Sequence, residues 1–166
     1  MARSGHRLRV TFAALLAALL PAACGFHLQR PAALPATLKS LRIEAEDPQS
    51  EFFRALRRQL QDAGVDVDAA ASDAATVRVL RDGTAERVLS VSARNVPTEY
   101  ELSYSVRVAV SAGSRELLPA EEFTLTRDYS FDETALLAKQ HERDMLSVAL
   151  ARDLASVVLR RLASLQ

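Results

Sequence analysis

The sequence has 166 residues, which is enough for one domain. It carries 21 basic and 21 acidic residues, and three of the basic ones precede Cys24. No acidic residue lies before that cysteine, so the chain after it has a net charge of −3. A nucleic-acid-binding protein would show a basic excess, so the composition argues against a nucleic-acid partner. Aromatic residues make up 5% and tryptophan is absent, so we expect Ala, Leu and Val to build the core.

The first 23 residues have the layout of a secretory signal peptide. A positive flank contains Arg3, Arg7 and Arg9, and an apolar segment follows at residues 10–20. This segment is too short to span a bilayer, which takes about 20 residues. Small residues then precede Cys24. We therefore predict that residues 1–23 are a lipoprotein signal peptide.

Cys24 is the only cysteine, and its position directly after a small-residue site resembles a bacterial lipobox. The usual lipobox has leucine three residues before the cysteine, whereas Pro21 stands there and Leu20 lies one residue earlier. An ordinary signal peptide with an incidental cysteine is the alternative. In enteric-type lipoproteins an aspartate after the cysteine favours inner-membrane retention, so Gly25 suggests sorting to the outer membrane. A lipid on Cys24 leaves no thiol for disulfides or catalysis.

Residues 24–37 are predicted to be a lipidated tether, and residues 38–166 to be the folded domain. Pro31 and Pro35 oppose regular structure in the tether. The domain begins with alternating apolar residues that predict a strand at Ser40–Ala45. Ser50 is a suitable N-cap for a helix, and Gly64 fits the left-handed position that ends one. The apolar residues between them recur at helical spacing: Phe53, Leu56, Leu60 and Ala63.

Two strand-like segments, Thr76–Leu80 and Arg87–Ala93, flank Asp82-Gly83. That dipeptide is typical of a turn, but it also fits a bulge within one long bent strand. We count Thr76–Ala93 as one strand, which Asn95-Val96-Pro97 breaks. The short extended segment at Val65 to Val67 is left out of the count.

The segment Tyr100–Val110 is the clearest predicted strand, because apolar and polar residues alternate along all of it. Such alternation indicates a sheet with one packed and one hydrated face. A hairpin turn at residues 112–114 leads to an antiparallel strand at Glu121–Tyr129. Phe123 and Leu125 share a face of that strand, with Arg127 and Tyr129 as further candidates.

The last predicted element is a long helix from Thr134 to about Leu162, a segment that contains neither Gly nor Pro. Asp132 is a suitable N-cap. A broad apolar stripe runs along the helix through Met145, Val148, Ala151, Leu154, Ala155, Val158 and Leu162. The predicted order is β-α-β-β-β-α. We expect an α/β (α+β) two-layer sandwich, with two helices packed on one face of a roughly four-stranded mixed sheet.

The sequence contains no nucleophile elbow, zincin motif, P-loop or dinucleotide-binding motif. His27 and His141 lie far apart, and neither has metal-ligand spacing to a carboxylate cluster. The acidic pairs Glu99/Glu101 and Glu121-Glu122 fit solvated sheet edges. We therefore expect neither an enzyme nor a metal site, and no cofactor other than a covalent lipid on Cys24.

Binding sites are better supported than catalysis, and three cations are candidates. Arg94 lies at a strand end before the Pro97 turn, and Lys139 lies in the first turns of the last helix. Arg143 follows four residues later on the same helix face. Exposed cations near element ends can bind phosphate groups. On the residues alone, ordinary surface charges are the better explanation.

Several blocks, in order and spacing, resemble the LptE family of lipopolysaccharide-assembly lipoproteins. They are Cys24-Gly25-Phe26-His27-Leu28, Asp47-Pro48, Arg57-Arg58-Gln59-Leu60 with Gly64-Val65, Thr98-Glu99-Tyr100, and Ala138-Lys139 with Asp144-Met145. The resemblance implies two helices against a four-stranded sheet. It also implies a lipid-anchored protein on the periplasmic side of the outer membrane.

The resemblance also implies a partner and a ligand. The family's members plug the LptD β-barrel, assist its assembly and help to deliver lipopolysaccharide to the outer leaflet. Arg94 and Lys139 lie in blocks similar to the family's basic lipopolysaccharide-binding positions. We therefore hypothesise that Arg94, Lys139 and Arg143 contact lipopolysaccharide phosphates. The alternative function is a stand-alone outer-membrane lipoprotein that binds another envelope component.

Overall fold

The part of the chain that the structure describes contains four strands and two α-helices in the predicted order β-α-β-β-β-α. A computed structural model describes residues 34–68 and 74–165. The predicted signal peptide (1–23), Cys24 and the tether up to residue 33 lie outside the described residues. The elements are β1 (Leu41–Ala45), α1 (Glu51–Asp62), β2 (Ala75–Val91), β3 (Pro97–Ala112), β4 (Arg115–Ser130) and α2 (Leu136–Ala163).

The strands form one mixed sheet in the spatial order β1-β2-β3-β4. β1 runs parallel to β2, with Leu41 opposite Ala75, while the other neighbours are antiparallel. A parallel pair needs a crossover connection, and α1 lies within it. β1 is short: its last residue, Ala45, lies opposite Val79, whereas β2 continues to Val91. The predicted two-layer fold and mixed sheet are confirmed.

Both predicted end signals of α1 are present. The Ser50 hydroxyl accepts a hydrogen bond from the Phe53 main-chain N–H at 3.0 Å, which caps the helix. Gly64 has a φ of +79°, so a residue without a side chain ends the helix without strain. The apolar face of α1 is buried through Phe52, Phe53, Ala55, Leu56 and Leu60.

β2 forms as one strand with bulges at Leu80 and at Leu89, and not at Asp82-Gly83. Before the first bulge, Val77 and Val79 are buried beneath the helices. After it, Asp82 lies opposite Val106 and Glu86 lies opposite Leu102, and both partners are fully buried. A bulge adds one residue to its strand, so it changes which residues face the helices. Asp82 and Glu86 therefore lie on the helix-facing side of the sheet.

β3 has the predicted alternation, and its apolar side is buried at Leu102, Tyr104, Val106, Val108 and Val110. The turn before it spans residues 92–96, where Asn95 has a φ of 61°. Pro97 was predicted to belong to the break between strands, but it is the first residue of β3. The first position of a strand tolerates a residue without an N–H. β4 begins at Arg115, well before the predicted start at Glu121, and ends at Ser130.

The last helix begins two residues later than predicted. Asp132 Oδ1 accepts a hydrogen bond from the Thr134 N–H at 2.9 Å, but the capped turn is a 3₁₀ turn, and α2 starts at Leu136. The apolar stripe of α2 is buried only in the second half of the helix, where α1 packs against it. Met145, which belongs to the predicted stripe, is 61% exposed. The buried residues of α2 are Leu150, Ala151, Leu154, Ala155, Val158 and Leu162.

The core lies between the two helices and one side of the sheet. The opposite, open side is polar, and the hydroxyls of Ser105 and Thr124 are 2.8 Å apart on it. Neither helix in the described part of the chain is long and apolar enough to cross a membrane.

Candidate functional site

A cavity of about 260 Å³ lies near the end of the sheet farthest from β1. β2, β3, β4 and the first turns of α2 all contribute to its walls. We call it the distal pocket. It is lined by Glu86, Tyr100, Tyr129, Phe131, Leu136, Lys139, Gln140 and Arg143.

Three aromatic rings form one wall of the distal pocket. Tyr100 and Tyr129 are direct cross-strand partners, and their rings stack with centroids 5.7 Å apart. Phe131 meets the Tyr100 ring edge-on at 5.5 Å. Its main-chain N–H donates to the Thr98 carbonyl at 2.8 Å, which fixes the chain just after β4. Such offset and edge-on pairs are favourable geometries, so the wall is a preformed apolar surface.

Glu86 joins two other elements inside the pocket. Its Oε1 accepts a hydrogen bond from Arg143 Nε at 2.7 Å and another from the Tyr129 hydroxyl at 2.8 Å. Arg143 also lies 3.4 Å from Asp144. The two carboxylates therefore neutralise the charge of Arg143 in this structure.

The Tyr129 hydroxyl stays protonated at neutral pH. Burial, the hydrogen bond to Glu86 and the charge of that carboxylate together raise the pKa of Tyr129 to about 12. Tyr129 is therefore a hydrogen-bond donor at physiological pH, available to Glu86 or to a bound anion.

Lys139 is the more enclosed of the two cations, with 19% of its side chain exposed. Its Nζ lies 2.7 Å from Glu142 and 3.2 Å from the Ser130 hydroxyl. The turn that leads into α2 carries another carboxylate, Asp132. Hydrogen bonds from Thr134 lower the pKa of Asp132, and the charge of Lys139 lowers it further.

The structure brings together two of the three cations named from the sequence. Lys139 and Arg143 line the distal pocket, but Arg94 does not. Arg94 lies on the exposed turn before β3, and it makes no ion pair with any residue the structure describes. Tyr100 lies three residue steps along β3 from Pro97, a distance of about 10 Å. The predicted lipidation site, Cys24, lies outside the described ranges.

Sequence reasoning missed Glu86 and the aromatic wall. Glu86 lies in a segment where polar residues are frequent, and the bulge at Leu80 decides which way it faces. The signal for Glu142 was present, because Lys139 and Glu142 have the three-residue spacing of a helical ion pair.

The distal pocket can bind an amphipathic anion by exchange. The incoming anion would replace the carboxylates on Lys139 and Arg143, and hydrocarbon would contact the aromatic wall and Leu136. In residues 34–68 and 74–165, no cluster of three His, Cys, Asp or Glu residues could hold a metal ion.

Comparison with known proteins gives a consistent result. The LptE family model, described as lipopolysaccharide-assembly, matches residues 38–162. The sequence is 29% identical to the LPS-assembly lipoprotein LptE of Pectobacterium atrosepticum over 162 residues, which covers 96% of this chain and 87% of that protein.

Two solved structures have similar folds. The crystal structure of rare lipoprotein B from Shewanella oneidensis has a TM-score of 0.69 and 29% identity, covering 75% of this chain and 94% of the other. The solution structure of an uncharacterized lipoprotein B from Nitrosomonas europaea has a TM-score of 0.69 and 26% identity, covering 84% of this chain and 91% of the other.

Proposed function

Because this chain belongs to the LptE family of lipopolysaccharide-assembly proteins, we propose that it is the non-enzymatic lipoprotein subunit of a lipopolysaccharide translocon in the outer membrane. In this role it plugs the LptD β-barrel, assists the barrel's assembly and binds lipopolysaccharide during delivery. A lipid on Cys24 anchors it at the periplasmic side. The family match over residues 38–162 and the lipoprotein names of its relatives support this proposal.

One observation carries the ligand-binding part of the proposal. Lys139 and Arg143 line the same cavity as three aromatic rings and Leu136. Lipopolysaccharide combines phosphate anions with hydrocarbon chains, so its lipid portion needs cations beside an apolar surface. The distal pocket offers both within one cavity.

Binding in the distal pocket is an exchange of anions. A phosphate would replace Glu86 on Arg143 and Glu142 on Lys139. The Arg143 guanidinium suits a phosphate because its donors form a planar fork, while Lys139 contributes a compact charge. The enclosure of Lys139 strengthens its interaction, since water screens a partly buried charge less.

Arg94 has a separate part in this proposal. The turn that carries Arg94 lies beyond the pocket, about 10 Å along β3 from Tyr100. A ligand that carries more than one phosphate can reach from the pocket to this turn. Arg94 would then bind a second anionic group of the same lipopolysaccharide molecule.

The open side of the sheet supports the plug role. Its middle rows carry small polar side chains, including Ser103, Ser105, Thr124 and Thr126. The inside of a wide outer-membrane barrel is polar, so a polar face suits a domain enclosed there.

The ligand-binding proposal is tested with the full lipidated protein and purified lipopolysaccharide. Replacing Lys139 and Arg143 together by Gln should weaken binding by about tenfold or more, because hydrogen bonds to charged groups contribute about 1.5–3 kcal/mol each. Replacing Arg152 and Arg160 together by Gln also removes two charges, from exposed positions of α2 outside the pocket, and is the matched control. Unchanged binding of the Lys139/Arg143 variant at low salt would contradict the proposal, as would equal weakening in the control.

Partner and anchor are tested separately. Detergent extraction of the lipidated protein should co-purify a β-barrel of translocon size, and isolation without one would favour a stand-alone lipoprotein. Mass spectrometry of the mature N-terminus should find acyl chains on Cys24. An unmodified Cys24 would remove the anchor from the proposal.

A further inference from the structure

Val88 extends the aromatic wall of the distal pocket onto β2. Val88 lies directly opposite Tyr100 on β3, and Tyr100 lies directly opposite Tyr129 on β4. The three residues therefore form one row across the sheet, and we call them the apolar row. Neighbouring strands are about 4.8 Å apart, so the apolar row is about 10 Å long.

The apolar row lies on the helix-facing side of the sheet. Leu102, two residues after Tyr100, is fully buried on that side, and residues two apart in a strand share a face. No bulge separates Glu86 from Val88, so these two residues also share that face. The bulge at Leu89 comes only after them. All three members of the apolar row therefore face the same way.

Neither helix covers the β2 end of the apolar row. α1 begins at the Ser50 cap, whose hydroxyl bonds to Asp82. Val88 lies six residues further along β2, a distance of about 20 Å. α2 packs against β3 and β4. Tyr129 is therefore 9% exposed and Val88 is 46% exposed, although both face the same side. The apolar row starts inside the distal pocket and ends outside it, at an uncovered valine.

Ion pairs limit the direction that a hydrocarbon chain can take from the pocket. The neighbouring row on the side of α1 begins with Glu86 and ends with Arg127. Glu86 pairs with Arg143, and Arg127 pairs with Asp153. A hydrocarbon chain that ran along the strands towards α1 would cross these charges, whereas the apolar row carries none. Val88 lies about 7 Å along β2 from Glu86, so hydrocarbon on Val88 is close to a phosphate on Arg143.

We propose that the apolar row binds an acyl chain of the lipopolysaccharide molecule whose phosphate occupies the distal pocket, and that Val88 determines the preference for acylated ligands. The inference rests on the proposed function and adds the path of the hydrocarbon to it. The chain leaves the pocket across the strands, passes over Tyr100 and covers the exposed surface of Val88. Covering apolar surface is favourable in proportion to its area.

The first test compares two ligands on the full lipidated protein, at one detergent concentration. One ligand is intact lipopolysaccharide, and in the other alkali has removed all acyl chains but left the phosphates. Val88→Thr keeps a branched side chain that suits a strand and replaces a methyl by a hydroxyl. It should weaken binding of the intact ligand by about threefold. Val88→Phe adds apolar surface and should strengthen that binding by a similar factor. Neither variant should change binding of the deacylated ligand.

Leu80→Thr is the matched control. Leu80 lies on the same strand as Val88 and has nearly the same exposure, 45%. It is eight residues away, or about 26 Å, so it cannot contact a chain that follows the apolar row. Leu80→Thr should leave the affinity for both ligands unchanged.

A second measurement uses the absence of tryptophan from the sequence. Val88→Trp places a single indole at the open end of the apolar row, and aromatic residues suit a strand. Its fluorescence should shift to shorter wavelength when intact lipopolysaccharide is added, because hydrocarbon replaces water around the ring. The deacylated ligand should cause no shift, and Leu80→Trp should show none with either ligand.

The outcomes separate this inference from the proposed function. If the Lys139/Arg143 variant weakens binding of both ligands but the Val88 variants change neither, the phosphate site stands and the inference is wrong. Equal effects of the Val88 variants on both ligands would also overturn it. If the Lys139/Arg143 variant binds both ligands normally, the proposed function fails and the inference fails with it. A shift of Val88→Trp fluorescence caused by the purified barrel alone would make the barrel wall the occupant.

Discussion

Glu86 and Arg143 are 57 positions apart in the chain, and Glu86 Oε1 accepts a hydrogen bond from Arg143 Nε at 2.7 Å. The same oxygen accepts a bond from the Tyr129 hydroxyl. One carboxylate thus connects β2, β4 and α2 across the distal pocket. It also competes with any anion that approaches Arg143.

Replacing Glu86 by Gln should strengthen lipopolysaccharide binding. The amide retains an acceptor for Tyr129 but no longer neutralises Arg143. We expect a gain of up to about fivefold, because partly exposed ion pairs contribute up to about 1 kcal/mol. Affinity is measured for the lipidated protein at low and high salt. Glu101→Gln, which breaks the Arg87 ion pair outside the pocket, is the control. Weaker or unchanged binding of Glu86→Gln would contradict the exchange mechanism.

Alkaline pH should destabilise the protein, in part through Tyr129. Burial raises the pKa of Tyr129 to about 12, and burial also raises the pKa of Tyr104. An unfolded tyrosine ionises near pH 10, so the stabilisation is complete below about pH 10 and is lost as the pH rises towards 12. Urea unfolding across this range should show the loss. Tyr129→Phe should reduce the slope of the unfolding free energy against pH in this range. Tyr104 should account for the slope that remains. An unchanged slope in Tyr129→Phe would refute the assignment.

Replacing Ser50 by Ala should lower the free energy of unfolding by about 1–2 kcal/mol. The Ser50 hydroxyl accepts from the Phe53 N–H and donates to Asp82 Oδ2. The other carboxylate oxygen, Asp82 Oδ1, is already buried, and none of the described residues bonds to it. Ala therefore removes the helix cap and leaves Asp82 further unsatisfied. Chemical denaturation measures the effect, and Ser50→Thr should restore most of the stability because it keeps the hydroxyl.

The two halves of α2 should respond differently to truncation. Leu154 is fully buried, so Leu154→Ala should cost about 2–5 kcal/mol through lost burial and a cavity. Leu137 is 80% exposed, and Leu137→Ala should change stability by less than about 0.5 kcal/mol. Urea midpoints of both variants test this. A large loss in Leu137→Ala would mean that the start of α2 is packed in solution.

Local sequence signals predicted most of the fold. The alternation along Tyr100–Val110 predicted β3 and its buried face, and Ser50 and Gly64 predicted both ends of α1. These features depend on neighbouring residues, which the sequence shows directly. The sequence also predicted a mixed sheet with an antiparallel last strand, but it did not predict that β1 pairs with β2.

Tertiary packing decided what the sequence could not show. The bulge at Leu80 has no glycine or proline to mark it, whereas Asp82-Gly83 is a local turn signal without a bulge. Met145 continues the helical stripe in sequence, but α1 packs only against the second half of α2. Lys139 and Arg143 could be named from helical spacing. Glu86 and Tyr129 could not be placed beside them without the sheet register.

The bulge at Leu80 makes this position of β2 tolerant of a one-residue deletion. Val79 and Arg81 pair with Val108 and Arg107, which are consecutive on β3, so deleting Leu80 would leave a regular ladder. Glu86 would stay opposite Leu102 and beside Arg143. A second deletion, between Arg81 and Glu86, would carry Glu86 to the open side of the sheet. β2 should therefore tolerate the loss of Leu80 but not the loss of a further residue before Glu86.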